Sequence, residues 1–356
     1  MTRPPLFDEI EWRDPIGGAP LEPTIAARTP SGNPITGALR IAGTTMGYPI
    51  VDSVARLTPE LALKHAVWLM PYGLSPAHAD DARAFQTEET VDSFGWQWAW
   101  NSEMRSAADL RMRVAERFHC APQDFSGKRV LDAGAGAGDQ SRYLVDQGAL
   151  VVSVDLSAAI EVVASKLRMH PDWVGVQADV TALPLAPSQF DIVYCEGVIQ
   201  HTRDSRATVG ELLRVTRPGG RVLASHYIRL RPATAAHRIR RRLTTAYYEF
   251  VRNRLRGLDR YGLLLATGNL AALSYVPLLG SILRTTGTAI RYELMPDFKT
   301  TWTNTFDYYG QHEFQRFIAP EEFWEYFESM PGVSLAVKDV GAVVAVKNEA
   351  GADVRH

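Results

Sequence analysis

The run Asp132-Ala133-Gly134-Ala135-Gly136-Ala137-Gly138 sets three glycines at alternate positions behind an acid. Glycine takes positive φ without a Cβ clash and lets backbone N–H groups come close to a ligand. A second acid, Asp155, comes about twenty residues on, where nucleotide-binding α/β folds grip ribose; Leu156 and Ser157 follow it. A carboxylate can accept from both hydroxyls of a vicinal diol. A third acid, Asp179, precedes Val180. Any one of these acids could simply cap a turn. Three at successive strand ends are harder to explain structurally, because they surround the crevice where such sheets bind ligands. The dinucleotide fingerprint is G-x-G-x-x-G, whereas the spacing here is G-x-G-x-G, which disfavours a nicotinamide cofactor.

A site of this kind must sit on alternating strands and helices. The pattern predicts strands at 130–133, 150–154, 173–177, 191–195 and 221–226, with helices over 138–147, 158–169 and 206–216 between them. Alternation of this sort implies a parallel sheet covered on both faces, an α/β fold. Two further strands, at 335–339 and 342–347, would make an antiparallel pair at the sheet's end. Thr58 and Pro59 signal a helix start over 58–70, residues 36–57 read as short strands and a turn, and residues 77–120 read as helical with an interruption around Gly95. The Pro- and Gly-rich residues 1–35 read as loop or an extended arm.

Taken in order, these segments resemble class I S-adenosylmethionine-dependent methyltransferases of the ubiquinone/menaquinone type. Val130-Leu131-Asp132-Ala133-Gly134-Ala135-Gly136 resembles the first motif, Val154-Asp155-Leu156-Ser157 the ribose motif and Ala178-Asp179-Val180 the adenine motif. The segment from Phe190 through Glu196 and Gly197 to His201 resembles the fourth-strand motif, and Leu213 to Gly220 the turn into the fifth strand. The resemblance implies a Rossmann-like sheet of seven strands with S-adenosylmethionine as cofactor. It places the methionine end on the loop with Gly138, the ribose on Asp155 and the adenine amino group on Asp179. Ser93-Phe94-Gly95-Trp96-Gln97-Trp98 resembles a segment that helps cover the cofactor, so Trp98 joins the candidates; a Trp cluster pinning a helical cap is the competing reading.

For chemistry, His201 follows the fourth strand where similar small-molecule enzymes place a base, and an unperturbed imidazole titrates near neutrality. A packing role against the cofactor is the alternative. His226, Tyr227 and His312 are candidates for the acceptor pocket. Residues 37–52 resemble the second half of a Trm112-type zinc ribbon, but Ile41-Ala42-Gly43-Thr44 stands near where its cysteines would be. The only cysteines are Cys120 and Cys195, so no metal is expected there.

Composition narrows the setting. The formal net charge of -2 gives no global basic field for nucleic acid. The two separated cysteines and a first segment without an apolar signal core point to a cytoplasmic protein. With 356 residues, one main domain plus appended pieces is expected. They divide as an arm and ribbon-like module (1–75), a helical cap (76–126), the core (127–228), a helical insertion or lid (229–300), completion of the core (301–348) and a tail (349–356). The insertion carries Arg238, Arg240, Arg241 and Arg242 beside the apolar stretch 261–283, which glycines, Asn269 and Pro277 interrupt. Buried or interfacial helices are therefore expected rather than a span, with peripheral membrane contact one use of the arginines. The expected activity is methyl transfer to a small-molecule or lipid-like acceptor. The alternative is a non-catalytic partner that keeps the fold and the cofactor.

Overall fold

Successive residues of the central strands belong to two different cores. Leu131, Val152, Val174, Val193, Val222 and Val343 join one cluster, while Val130, Val151, Trp173, Ile192, Leu223 and Val344 join the other. Side chains alternate across a strand, so this division means that the sheet is buried on both faces. That is why its strands read as unbroken apolar runs in the sequence.

The computed structural model describes residues 3–82, 106–229, 235–255, 257–285, 297–310 and 315–349. Strands β1 (Leu21–Arg28), β2 (Pro34–Ile41), β3 (Met46–Val51) and β4 (Val54–Arg56) come first, with a two-residue β5 (Ser75–Pro76) beside β3. Then follow β6 (Arg129–Ala133), β7 (Leu150–Asp155), β8 (Trp173–Gln177), β9 (Phe190–Cys195), β10 (Thr216–Ser225), β11 (Val333–Asp339) and β12 (Ala342–Lys347). The spatial order is β1-β2-β3-β4-β8-β7-β6-β9-β10-β12-β11. From β8 to β10 neighbours run parallel, and β12 enters antiparallel between β10 and β11. This is the Rossmann-like sheet of seven strands expected from the sequence.

Helices α2 (Ala107–Val114), α3 (Asp139–Asp146) and α4 (Ala159–Leu167) pack their apolar residues into one core, through Val114, Leu144 and Val163 among others. Helices α5 (Ser205–Val215) and α10 (Pro320–Glu328) cover the other face through Leu212, Phe323 and Phe327. Leu39, Tyr48 and Ile50 of the N-terminal strands share that second core.

Two expectations need correction at the N-terminus. Residues 21–28 form an edge strand rather than a loop, paired antiparallel to β2. The described part of residues 77–120 is less helical than expected, holding only α2 and 3-10 turns at Ala79–Asp81 and Glu116–Phe118. Helix α1 (Pro59–Lys64) begins as expected, with the Thr58 hydroxyl accepting from the Leu61 N–H. The N-terminal strands continue the main sheet, since β4 pairs parallel to β8. Buried Arg56 fastens that junction, donating to the Gln177 side chain at 2.6 Å and pairing with Glu161 of α4.

Residues 230–313 form a second compact unit, separate from the unit of residues 1–229 and 314–356. Its helices are α6 (Ala235–Leu255), α7 (Arg260–Leu273), α8 (Leu279–Thr285) and α9 (Phe298–Tyr309). Helix α7 lies on α9, where the Trp302 indole donates to Leu264 O at 3.0 Å. Among the described residues no helix is long and apolar enough to cross a membrane. The apolar stretch is divided at Ser274–Leu278, with Pro277 inside the break.

Candidate cofactor site

The chain runs β6 to β7 to β8 outward in one direction, then returns to add β9 and β10 on the other side of β6. The loops leaving β6 and β9 therefore diverge at the point where the strand order reverses, which is where open α/β sheets bind ligands. The glycine run leaves β6 and the segment from Glu196 to His201 leaves β9. The two loops touch: a Cβ on Gly134 would lie 2.1 Å from Val198 Cγ2. Gly134, Gly136 and Gly138 all have positive φ (88°, 52° and 81°), which favours glycine at each, and at Gly134 the close approach requires it as well.

Asp155, at the end of β7, holds the loop from the side. Its Oδ2 accepts from the Gly136 N–H at 2.8 Å, and its Oδ1 accepts from the Ser157 N–H at 2.8 Å and the Ser157 hydroxyl at 2.7 Å. Loss of water around the carboxylate raises its pKa above the usual value, against the opposing pull of the bonds from Ser157 and Gly136. Leu156 accepts from the Gln177 side chain through its carbonyl at 3.0 Å.

Asp179, beyond β8, repeats the same local device. Its Oδ1 accepts from the Thr181 N–H at 2.8 Å and the Thr181 hydroxyl at 2.7 Å. Its Oδ2 has no partner among the described residues, although the residue is only 7% exposed. A carboxylate oxygen left over in this way suits a ligand amino group. Val180 beside it is buried.

Asp132 is tied into the protein interior. It is 2% exposed, and its Oδ2 accepts from the Ser141 hydroxyl of α3 at 2.5 Å. Ser141 also bonds Ser153 of β7 at 2.7 Å, and Ser153 accepts from the Trp173 indole at 2.8 Å. This buried network fixes the β6 end, and with it Ala133, to α3 and β7.

Glu196, after β9, is held by the Arg117 guanidinium at 2.6 Å, by Arg113 at 3.6 Å and by the Tyr194 hydroxyl at 2.7 Å. The Gly197 N–H donates to Ser225 Oγ at 3.0 Å, which ties the β9 and β10 ends together. Arg113 and Arg117 went unnoticed in the sequence. Arg113 lies in the last turn of α2 and Arg117 in the 3-10 turn after it, and two arginines so close together just ahead of the core were the available signal.

The histidines divide into two groups. The His201 ring meets Tyr227 edge-on at 5.4 Å, and Tyr227 lies against Phe317 at 5.4 Å. His226 points elsewhere, into Phe323 and Tyr326 of α10. The expected grouping of His226 with Tyr227 in one pocket is thus not what the structure places together. Trp98 and His312 lie outside the described residues, as does the segment 93–98. No group of three or more metal-ligating side chains occurs among the described residues.

His226 donates from Nδ1 to Tyr227 O at 3.0 Å, and burial lowers its pKa from 6.5. A neutral histidine buried in the folded state takes up its proton more readily when unfolded. Its contribution to stability is therefore full above the unfolded pKa and is lost as pH falls below about 6.5. His226→Phe should flatten the acid side of the stability profile, measured by urea unfolding across that range. A slope equal to the wild type's would assign the acid sensitivity elsewhere.

Residues 131–224 match the family model described as "Methyltransferase domain". This segment is a methyltransferase domain. It spans β6 through most of β10, the strands that build the switch point, and agrees with the class I resemblance read from the sequence. The chain is 33% identical over 157 residues to a demethylmenaquinone methyltransferase of Beutenbergia cavernae, covering 44% of this chain and 59% of that protein. It is 45% identical over 119 residues to a malonyl-(acyl-carrier protein) O-methyltransferase of Enterobacter lignolyticus, covering 33% and 43%. The chain thus spans about half the length of these curated relatives. Among solved structures, the magnesium protoporphyrin IX methyltransferase of Synechocystis with bound SAH aligns over 71% of this chain and 84% of that one, at 17% identity. The TM-score of that alignment is 0.36.

Proposed function

We propose that the protein is an S-adenosylmethionine-dependent methyltransferase acting on a small-molecule or lipid-like acceptor. The observation that supports this reading is the 134–138 loop bonded to Asp155 at the β6–β9 switch point, with Asp179 beyond the end of the next strand outward, in a segment that matches a methyltransferase domain. The donor set fits the cofactor. Asp179 keeps Oδ2 for the adenine amino group, and Asp155 keeps acceptor capacity beside the loop for a ribose hydroxyl. Ser157 holds Asp155 in place, and Gly134, Gly136 and Gly138 allow the backbone to approach the methionine end. S-adenosylmethionine, when bound, supplies an electrophilic methyl group. Much of the catalysis then falls to positioning and water exclusion, for which Tyr227 and Phe317 offer an aromatic wall.

His201, against Tyr227, is the candidate base for an acceptor that must lose a proton. A positioned base contributes about 10²–10⁴-fold. His201→Gln should lower kcat by that order while leaving cofactor affinity unchanged; unaltered turnover would restrict His201 to packing. The curated relatives are named for a menaquinone precursor and a malonyl carrier protein, which supports a metabolite acceptor and a lipid-like one alike. Residues 37–52 are read as a metal-free remnant of a Trm112-type zinc ribbon, a reading supported by the β2–β3 hairpin and the lack of cysteine there; elemental analysis for zinc tests it. Titration calorimetry with S-adenosylmethionine, S-adenosylhomocysteine and NAD tests the function. Binding of neither sulfur ligand would sink it. Tight binding with no transfer to any metabolite would favour a non-catalytic partner.

A further inference from the structure

The helical unit 230–313 leaves large apolar side chains in solvent. On α6, Leu243 is 67% exposed and Phe250 56%; seven residues apart, they share one helix face. Tyr261 and Leu265 are 72% and 69% exposed four residues apart on α7, and Leu278 and Ile282 repeat that spacing around α8 at 85% and 59%. The inward sides are accounted for within the unit. Tyr248 of α6 packs against Tyr308 and Tyr309 of α9 and donates to Tyr308 O at 3.1 Å. Leu263, Thr267 and Ala271 of α7 are buried. Large exposed apolar residues in such numbers mark an interaction surface rather than ordinary scatter.

The charge on α6 decides what that surface meets. The helix carries Arg238, Arg240, Arg241, Arg242, Arg252 and Arg254 against a single acid, Glu249. Arg254 stacks over the Phe250 ring at 4.6 Å, so a cation and an exposed aromatic occupy the same spot. A second copy meeting this face through a two-fold axis would set arginine against arginine. A nucleic-acid backbone would answer the arginines and leave Leu243, Leu265 and Leu278 without apolar cover. An anionic bilayer answers both, with lipid phosphates for the guanidinium groups and the acyl boundary for the apolar residues.

We propose that the helical unit docks on an anionic membrane surface, with Leu243 and Phe250 entering the acyl boundary and Arg242 and Arg254 holding lipid phosphates. The helices lie on the bilayer, since none among the described residues can cross it. The proposal deepens the lipid-like branch of the proposed function and rests on it for its purpose, while its physical basis is independent of the cofactor site.

The test is flotation of the full chain with vesicles of phosphatidylcholine alone and of phosphatidylcholine mixed with phosphatidylglycerol. Binding is expected only to the mixed vesicles and should weaken with added salt. Arg242→Glu with Arg254→Glu should weaken partition about tenfold or more, and Leu243→Ser with Phe250→Ser should weaken it at low salt as well. None of the four residues is among those assigned to the cofactor site, so S-adenosylmethionine affinity serves as the control for the fold of the methyltransferase core, and far-UV circular dichroism for the helical unit. Wild-type protein that ignores the mixed vesicles overturns the proposal. So does a soluble dimer that Leu243→Ser with Phe250→Ser splits while vesicle binding is absent. Loss of cofactor binding with vesicle binding intact would count against the methyltransferase reading alone.

Discussion

Gly134→Ala is expected to lower the unfolding temperature and to weaken S-adenosylmethionine binding together. The new methyl would sit 2.1 Å from Val198 Cγ2 and 3.2 Å from both Val198 Cβ and Cγ1. Rotating the valine brings its other methyl into the same space, and a β-branched side chain has few alternative rotamers. Overpacking of this kind costs about 1–3 kcal/mol. The backbone adds a second penalty, because φ is +88° and an L side chain in the left-handed region costs about 1–2 kcal/mol. Relief of either strain would separate the β6 and β9 loops, the two walls of the switch point. Val198→Ala removes the 2.1 Å clash and leaves only the 3.2 Å contact. The double variant should therefore recover the steric part of the loss and keep the backbone part, a coupling that a double-mutant cycle in urea measures. A Gly134→Ala protein that unfolds and binds cofactor like the wild type would show that the loops do not meet in this way.

How much of this was legible in advance follows from what each feature depends on. Trp173–Gln177 and Ala342–Lys347 stand where the sequence put them, because strands buried on both faces announce themselves as apolar runs with turn residues beside them. Leu21–Arg28 was missed for the opposite reason. An edge strand with one face in solvent buries little, and its pairing with β2 is a tertiary fact. The parallel join of β4 to β8 was equally hidden, since no local pattern states which strand a three-residue segment will meet. In the site, the glycine and acid spacing was readable because backbone freedom and carboxylate chemistry are properties of single residues. The Val198 contact and the Arg117–Glu196 pair join residues that lie far apart in the chain. The separation of His226 from Tyr227 could have been read. Neighbours at a strand end alternate faces, and grouping them as one pocket overlooked that rule.

Asp155→Ala should weaken S-adenosylmethionine binding about a hundredfold or more, the larger of the two expected effects on affinity. A carboxylate has about four acceptor sites. Ser157 takes two of them on Oδ1 and the Gly136 N–H one on Oδ2. The remaining capacity on Oδ2 is what a ribose hydroxyl would use, and a hydrogen bond to a charged group is worth about 1.5–3 kcal/mol. Alanine removes that bond and also the anchor of the Gly136 turn, so the loss exceeds one contact. Asparagine is no conservative substitute, because its amide donor would oppose either the Gly136 N–H or the Ser157 donors. The two contributions can be separated with a cofactor analogue lacking the ribose hydroxyls. Wild-type protein should discriminate against the analogue, and Asp155→Ala should not, even though both bind it. Acidity gives a third reading. The acceptor is the anion, and burial raises the pKa of this carboxyl, so wild-type affinity should begin to fall at a higher pH than an ordinary aspartate would dictate. Calorimetry across that range measures it. An affinity in Asp155→Ala within about threefold of the wild type, well short of the 1.5–3 kcal/mol of a charged hydrogen bond, would remove Asp155 from the ribose and leave it as the brace of its own loop.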